Sequence, residues 1–126
     1  MPHFIIDCSK DIFKLHSEDE IIKQVHLSAV STKLFNKKDV KVRINSFEKY
    51  STGDKKENFI HVFSNIMEGR SIEQKANLSK TIVKNLASLC PSVPNIGTNV
   101  IEFQKANYFN KNMLTPRHYP KNMLNL

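Results

Sequence analysis

A chain of 126 residues with 40% hydrophobic and 25% charged residues is of single-domain size and carries enough apolar side chains for one core of moderate size. Its formal net charge of +7 points to acidic partners, whether nucleic acid, an anionic membrane surface or a small anionic substrate. No apolar run approaches bilayer-spanning length, and FIIDC is too short, and too soon interrupted by Asp7, for the core of an export signal, so a cytoplasmic protein with no membrane partner is expected.

The chain opens MPHFIIDCS. HFIIDC reads as a buried strand, and Pro2 ahead of it admits two readings. Proline has no N–H for a sheet ladder and is tolerated at a strand's first position. Alternatively, Met1 is removed and Pro2 becomes a free secondary amine, a base on a rigid ring. Ser17 and Glu20 have the spacing of a capping box, with acids in the first helical turn. Ile21, Ile22, Val25 and Ala29 follow as an apolar stripe, so a helix is predicted to about Leu34. In VKVRINSF, Val40, Val42 and Ile44 alternate with Lys41, Arg43 and Asn45, a strand with both cations on one face.

KYSTGDKKEN reads as a loop turning at Gly53-Asp54, and NFIHVFSNIM as a third strand. After Arg70, Ser71 and Gln74 repeat the capping-box spacing. The helix beyond carries Ile72, Ala76, Ile82, Val83, Leu86 and Leu89 and is predicted to end near Pro91. SVPNIGT is expected to be a turn-rich connection, NVIEFQKA a fourth strand and YFNKNML one short helical turn. Strand, helix, strand thus occurs twice. The expected class is α/β (α+β): two βαβ units forming a four-stranded sheet with two helices on one face. The other face would lie open, which predicts an oligomer.

Several chemistries find no support. His3, His16, His26, His61 and His118 have no zinc-ligand spacing, and no metal is expected. Three glycines and no phosphate-binding loop, GxSxG elbow or RNP motif argue against nucleotide or hydrolase chemistry. Cys8 and Cys90 read as small buried hydrophobes. No acid follows Glu102, while Lys105, Lys111, Arg117 and Lys121 do, so the expected nucleic-acid binding is weak and nonspecific.

MPHFIIDCS, FIHVFSNIMEGRS and the ending YFNKNML together resemble the 5-carboxymethyl-2-hydroxymuconate isomerase branch of the tautomerase superfamily. The likeness spans roughly residues 2–114, one tautomerase-like domain, and leaves 115–126 as a basic C-terminal tail. The resemblance implies a homotrimer with its sheets facing inward, no cofactor, and an enolic dicarboxylic acid from aromatic degradation as substrate. It puts the catalytic base on Pro2, once Met1 is removed, and substrate-binding cations on Arg70 and Lys41, with Arg43 beside them. Lys41 departs from the arginine typical of that place, and a lysine is a flexible point charge where an arginine is a planar fork. The relatives' tryptophan on the second strand is also absent, and Phe47 or Tyr50 is expected to fill that space. A changed substrate, such as a phenylpyruvate-like acid, is compatible with Lys41. The alternative from another class is a non-catalytic protein of the same fold that binds partners through its basic surface.

Overall fold

The computed structural model describes residues 1–114. The expected basic tail, with His118, Arg117 and Lys121, lies outside the described residues. The elements are β1 (His3–Ser9), α1 (Glu18–Ser31), β2 (Lys41–Phe47), β3 (Phe59–Met67), α2 (Ile72–Leu89) and β4 (Asn95–Phe103). They form one four-stranded sheet in the order β2-β1-β3-β4. Each repeat pairs its own strands in parallel, β1 with β2 and β3 with β4, and the repeats join through the antiparallel β1–β3 ladder.

The two-residue period of the strands decides the layers. Phe4, Ile6 and Cys8 of β1 and Ile60, Val62, Ser64 and Ile66 of β3 are buried on one face. They meet Ile21, Val25 and Ala29 of α1 and Leu78, Ile82 and Leu86 of α2, which recur at helical spacing. Burying each such side chain stabilises the fold by about 1.5–3 kcal/mol. The buried serines Ser9, Ser28 and Ser64 are paired. Asn85 donates to Ser28 Oγ at 2.9 Å and so ties α2 to α1, and Ser64 Oγ meets Thr98 Oγ1 at 3.1 Å. Both helices start on the capping boxes that the spacing predicts, Ser17 with Glu20 and Ser71 with Gln74.

The opposite face of the sheet carries His3, Ile5, Arg43, Phe47, Phe59, His61, Phe63 and Ile101, none of them fully buried. His61 lies here rather than in the core, with Nε2 2.6 Å from Asn99 Oδ1 and its ring against Phe63. Cys8 and Cys90 are free and buried, and burial pushes the Cys8 thiol up to about 12.

Three boundaries and one short turn differ from the sequence reading. β4 begins at Asn95, inside the stretch expected to be a turn. Pro94 stands just ahead of the ladder, where its missing N–H costs nothing. Gly97 stands beside His61, and a Cβ there would make ordinary contact with Nδ1 at 3.4 Å. β4 also stops at Phe103, because Lys105 N–H donates to Glu68 Oε2 at 2.7 Å and the chain turns into a short 3-10 segment. α1 ends at Ser31, three residues early, where Lys33 takes a positive φ of 62°. Lys10–Lys14 form an unanticipated 3-10 turn that buries Ile12.

Candidate active site

The parallel and antiparallel pairings bring the starts of β1 and β2 and the ends of β3 and β4 to one end of the sheet. Pro2, Lys41 and Arg70 therefore share that end, although 68 residues separate Pro2 from Arg70 in the chain. Pro2 is buried, and its carbonyl accepts the Lys41 N–H at 3.0 Å, extending the β1–β2 ladder by one step. With Met1 attached, the Pro2 nitrogen is an amide and has no usable basicity. Removing Met1 turns the same atom into a secondary amine.

The three cations are not equivalent. Lys41 and Arg43 project from the open face, two residues apart on an edge strand. The Arg43 guanidinium donates to His3 Nδ1 at 3.1 Å. That bond requires a neutral ring nitrogen as acceptor. Burial, then the charges of Arg43, the amino terminus and Lys41, lowers the His3 pKa. The Lys41 ammonium reaches only the Lys38 carbonyl, at 3.5 Å.

Arg70 lies on the helix side. It donates to the Leu34 carbonyl at 2.8 Å, and its guanidinium stands 5.3 Å from the centre of the Phe35 ring. Phe35 in turn packs edge-on against Phe4, at 5.8 Å between centroids. Arg70 thus fastens the connection after α1 to the loop after β3 and keeps further donors on its guanidinium. The first turn of α2 is partly committed, since Gln74 N–H donates to Ser71 Oγ and Ser71 N–H to Gln74 Oε1.

Sequence reasoning did not single out His3 or Phe35 as neighbours of this site. For His3 a signal existed, because it shares its side of β1 with the paired positions of β2. Phe35 lies in an irregular connection and carried none. The segment after β4 adds two more groups. Tyr108 stacks on Phe103 with centroids 5.0 Å apart, and Asn110 donates to Tyr108 Oη at 3.0 Å. Asn110 Oδ1 is buried and has no partner among the described residues. No group of three or more metal-ligating side chains occurs among the described residues, and none of their helices is long and apolar enough to cross a membrane.

The family model for 5-carboxymethyl-2-hydroxymuconate isomerase matches residues 2–117. A 5-carboxymethyl-2-hydroxymuconate isomerase from Deinococcus radiodurans R1 superposes with a TM-score of 0.75 at 18% identity, over 87% of this chain and 88% of that one. A member of the cis-3-chloroacrylic acid dehalogenase family gives a TM-score of 0.75 at 13% identity, over 98% and 96% of the two chains. A fused 4-OT wild-type symmetric trimer gives 0.74 at 12% identity, over 91% and 96%. At these identities the structural likeness speaks for the fold. No curated protein sequence matches the chain.

Proposed function

The chain belongs to the 5-carboxymethyl-2-hydroxymuconate isomerase family, and on that premise we propose that it is a cofactor-independent isomerase acting on an unsaturated anionic keto or enol acid such as 5-carboxymethyl-2-hydroxymuconate. The base is the amine of Pro2, freed by loss of Met1. The observation that supports this reading is that Pro2, Lys41 and Arg70, distant in the sequence, lie at one end of the sheet, with the Lys41 N–H donating to the Pro2 carbonyl.

An α-amine titrates at about 7.7–8.0 when unperturbed, and burial beside cations favours its neutral form. A neutral Pro2 takes a proton from an enol oxygen or an α-carbon and returns it at another carbon, so the reaction is balanced without a co-reactant. Lys41 and Arg70 neutralise the substrate's carboxylates and the dienolate charge that develops as the proton leaves. Because Lys41 and Arg43 lie on the open face and Arg70 on the helix side, one chain alone does not ring the amine with charge. A homotrimer with open faces turned inward is therefore part of the proposal, and the likeness to a fused 4-OT trimer supports it.

The test is an ultraviolet assay on 2-hydroxymuconate-like acids with mass-checked, Met1-free protein. One residue added ahead of Pro2 is expected to leave folding intact and abolish nearly all turnover. Pro2→Ala keeps a terminal amine but loses the ring, and is expected to reduce kcat more than it raises KM. Full activity in the extended protein would end the proline mechanism and favour the binding-protein alternative.

A further inference from the structure

The two repeats have the same order, and the antiparallel β1–β3 ladder at their junction relates them by an approximate two-fold rotation. That rotation exchanges the two ends of the sheet. The place that Glu68–Arg70 occupies after β3 is occupied after β1 by the Lys10–Lys14 turn. The aromatic pair Phe103–Tyr108 beyond β4 has a counterpart beyond β2 in Phe47 and Tyr50, both packed on Phe59 at 6.4 and 5.0 Å. At this second end lies a cleft of about 510 Å³ lined by Lys10, Asp11, Phe13, Lys14, Phe47, Glu48, Tyr50 and Lys56. Asn58, not a proline amine, stands next to β3 there, with its Oδ1 accepting from Ser9 Oγ at 2.9 Å. The place of the base is filled by a side chain without one.

We propose that this cleft is a second, non-catalytic binding site, and that it takes a small aromatic acid with one carboxylate. Phe13, Phe47 and Tyr50 provide flat apolar walls for a ring. The charges in the lining are three ammonium groups against two carboxylates, which leaves one positive charge for the ligand. The ammonium groups are held in place without being used up. Lys56 donates to the Glu48 carbonyl at 2.7 Å and lies 5.1 Å from the Tyr50 ring centre. Lys10 bonds Glu48 Oε1 at 2.7 Å, and Lys14 makes only a loose, exposed pair with Asp11 at 3.4 Å. Each ammonium has three donors, so each retains protons for a carboxylate. The first βαβ unit has thus kept a cleft at its strand ends, while the proposed chemistry sits at the opposite end of the sheet.

The test is two-dimensional amide NMR of the full chain titrated with phenylacetate, using cyclohexylacetate and benzyl alcohol to remove the ring's aromaticity and the charge in turn. Saturable phenylacetate binding is expected in the millimolar range, with shifts confined to Lys10–Lys14 and Phe47–Lys56 and about tenfold weaker binding of either control. Lys56→Met and Phe47→Leu are each expected to weaken binding about tenfold with the spectrum otherwise preserved, and Arg70→Ala to leave it unchanged. No saturation by ~10 mM, shifts gathered instead around Pro2 and Arg70, or equal affinity for all three probes would overturn the proposal. None of these readouts depends on turnover, so the result is independent of the fate of the proline mechanism.

Discussion

Arg43 donates to His3 Nδ1, and burial, then the nearby cations, disfavour the charged ring. Its folded pKa lies below the unfolded value of about 6.5. The unfolded chain therefore binds more protons in the window just below 6.5, and stability falls as pH drops through it. His3→Gln is expected to flatten the urea midpoint between about pH 6.5 and 5 relative to the parent chain. Arg70 carries two duties. Arg70→Ala should raise KM for dianionic substrates, and should also cost about 1 kcal/mol through loss of the bond to Leu34 and the contact with Phe35. Kinetics and urea melts on one preparation separate these effects. Lys41→Arg restores a planar fork on the open face and is expected to lower KM for dicarboxylates with no change in melting temperature. A raised KM there would mean that the lysine is matched to a different acid.

α2 is held at its start by a reciprocal cap and along its length by Leu78, Ile82 and Leu86, all fully buried. Ser71→Ala removes the acceptor of the Gln74 N–H and is expected to cost about 1 kcal/mol in urea denaturation. Ile82→Ala leaves a cavity between helix and sheet and is expected to cost about 2–5 kcal/mol. The two losses should add, since the positions are separated by about three helical turns. On β4, Gly97 stands beside the His61 ring, where a Cβ would make ordinary contact with Nδ1 at 3.4 Å, and His61 Nε2 lies 2.6 Å from Asn99 Oδ1.

Over the whole molecule, one face of the sheet is covered by α1 and α2, and the other leaves Ile101 exposed with Ile5 and Phe63 half-buried beside it. An apolar sheet face of this kind is a surface for association. The proposed trimer is checked by native mass spectrometry at micromolar concentration. Phe63→Glu puts an unpaired carboxylate at the centre of the face, so it is expected to give monomers that keep the parent chain's far-ultraviolet circular dichroism. A monomeric parent chain would remove the trimer and, with it, the expectation that charges from several copies surround one amine.

Much of the fold was legible in local pattern. The alternation in VKVRINSF, the two Ser-x-x-Glu/Gln caps and the apolar stripe of α1 depend on neighbours within a few residues and reappear in the structure, whereas in α2 Ile82 and Leu86 are buried as expected but Ile72 and Ala76 are exposed and Leu78 takes the inner place. The resemblance in MPHFIIDCS and FIHVFSNIMEGRS, more than local pattern, singled out Pro2 and Arg70. Where the strand signal was weak, pairing decided: Asn95–Thr98 join β4 because β3 offers them a ladder, against the turn propensity of Pro94 and Gly97. Tertiary structure alone separated the cations, placing Lys41 and Arg43 on the open face and Arg70 against the connection after α1, because side-chain direction follows register and a loop's landing point follows packing. It alone also brought Phe47, Tyr50 and Lys56 to the Lys10–Lys14 turn, a meeting of segments about 40 residues apart that no periodicity encodes.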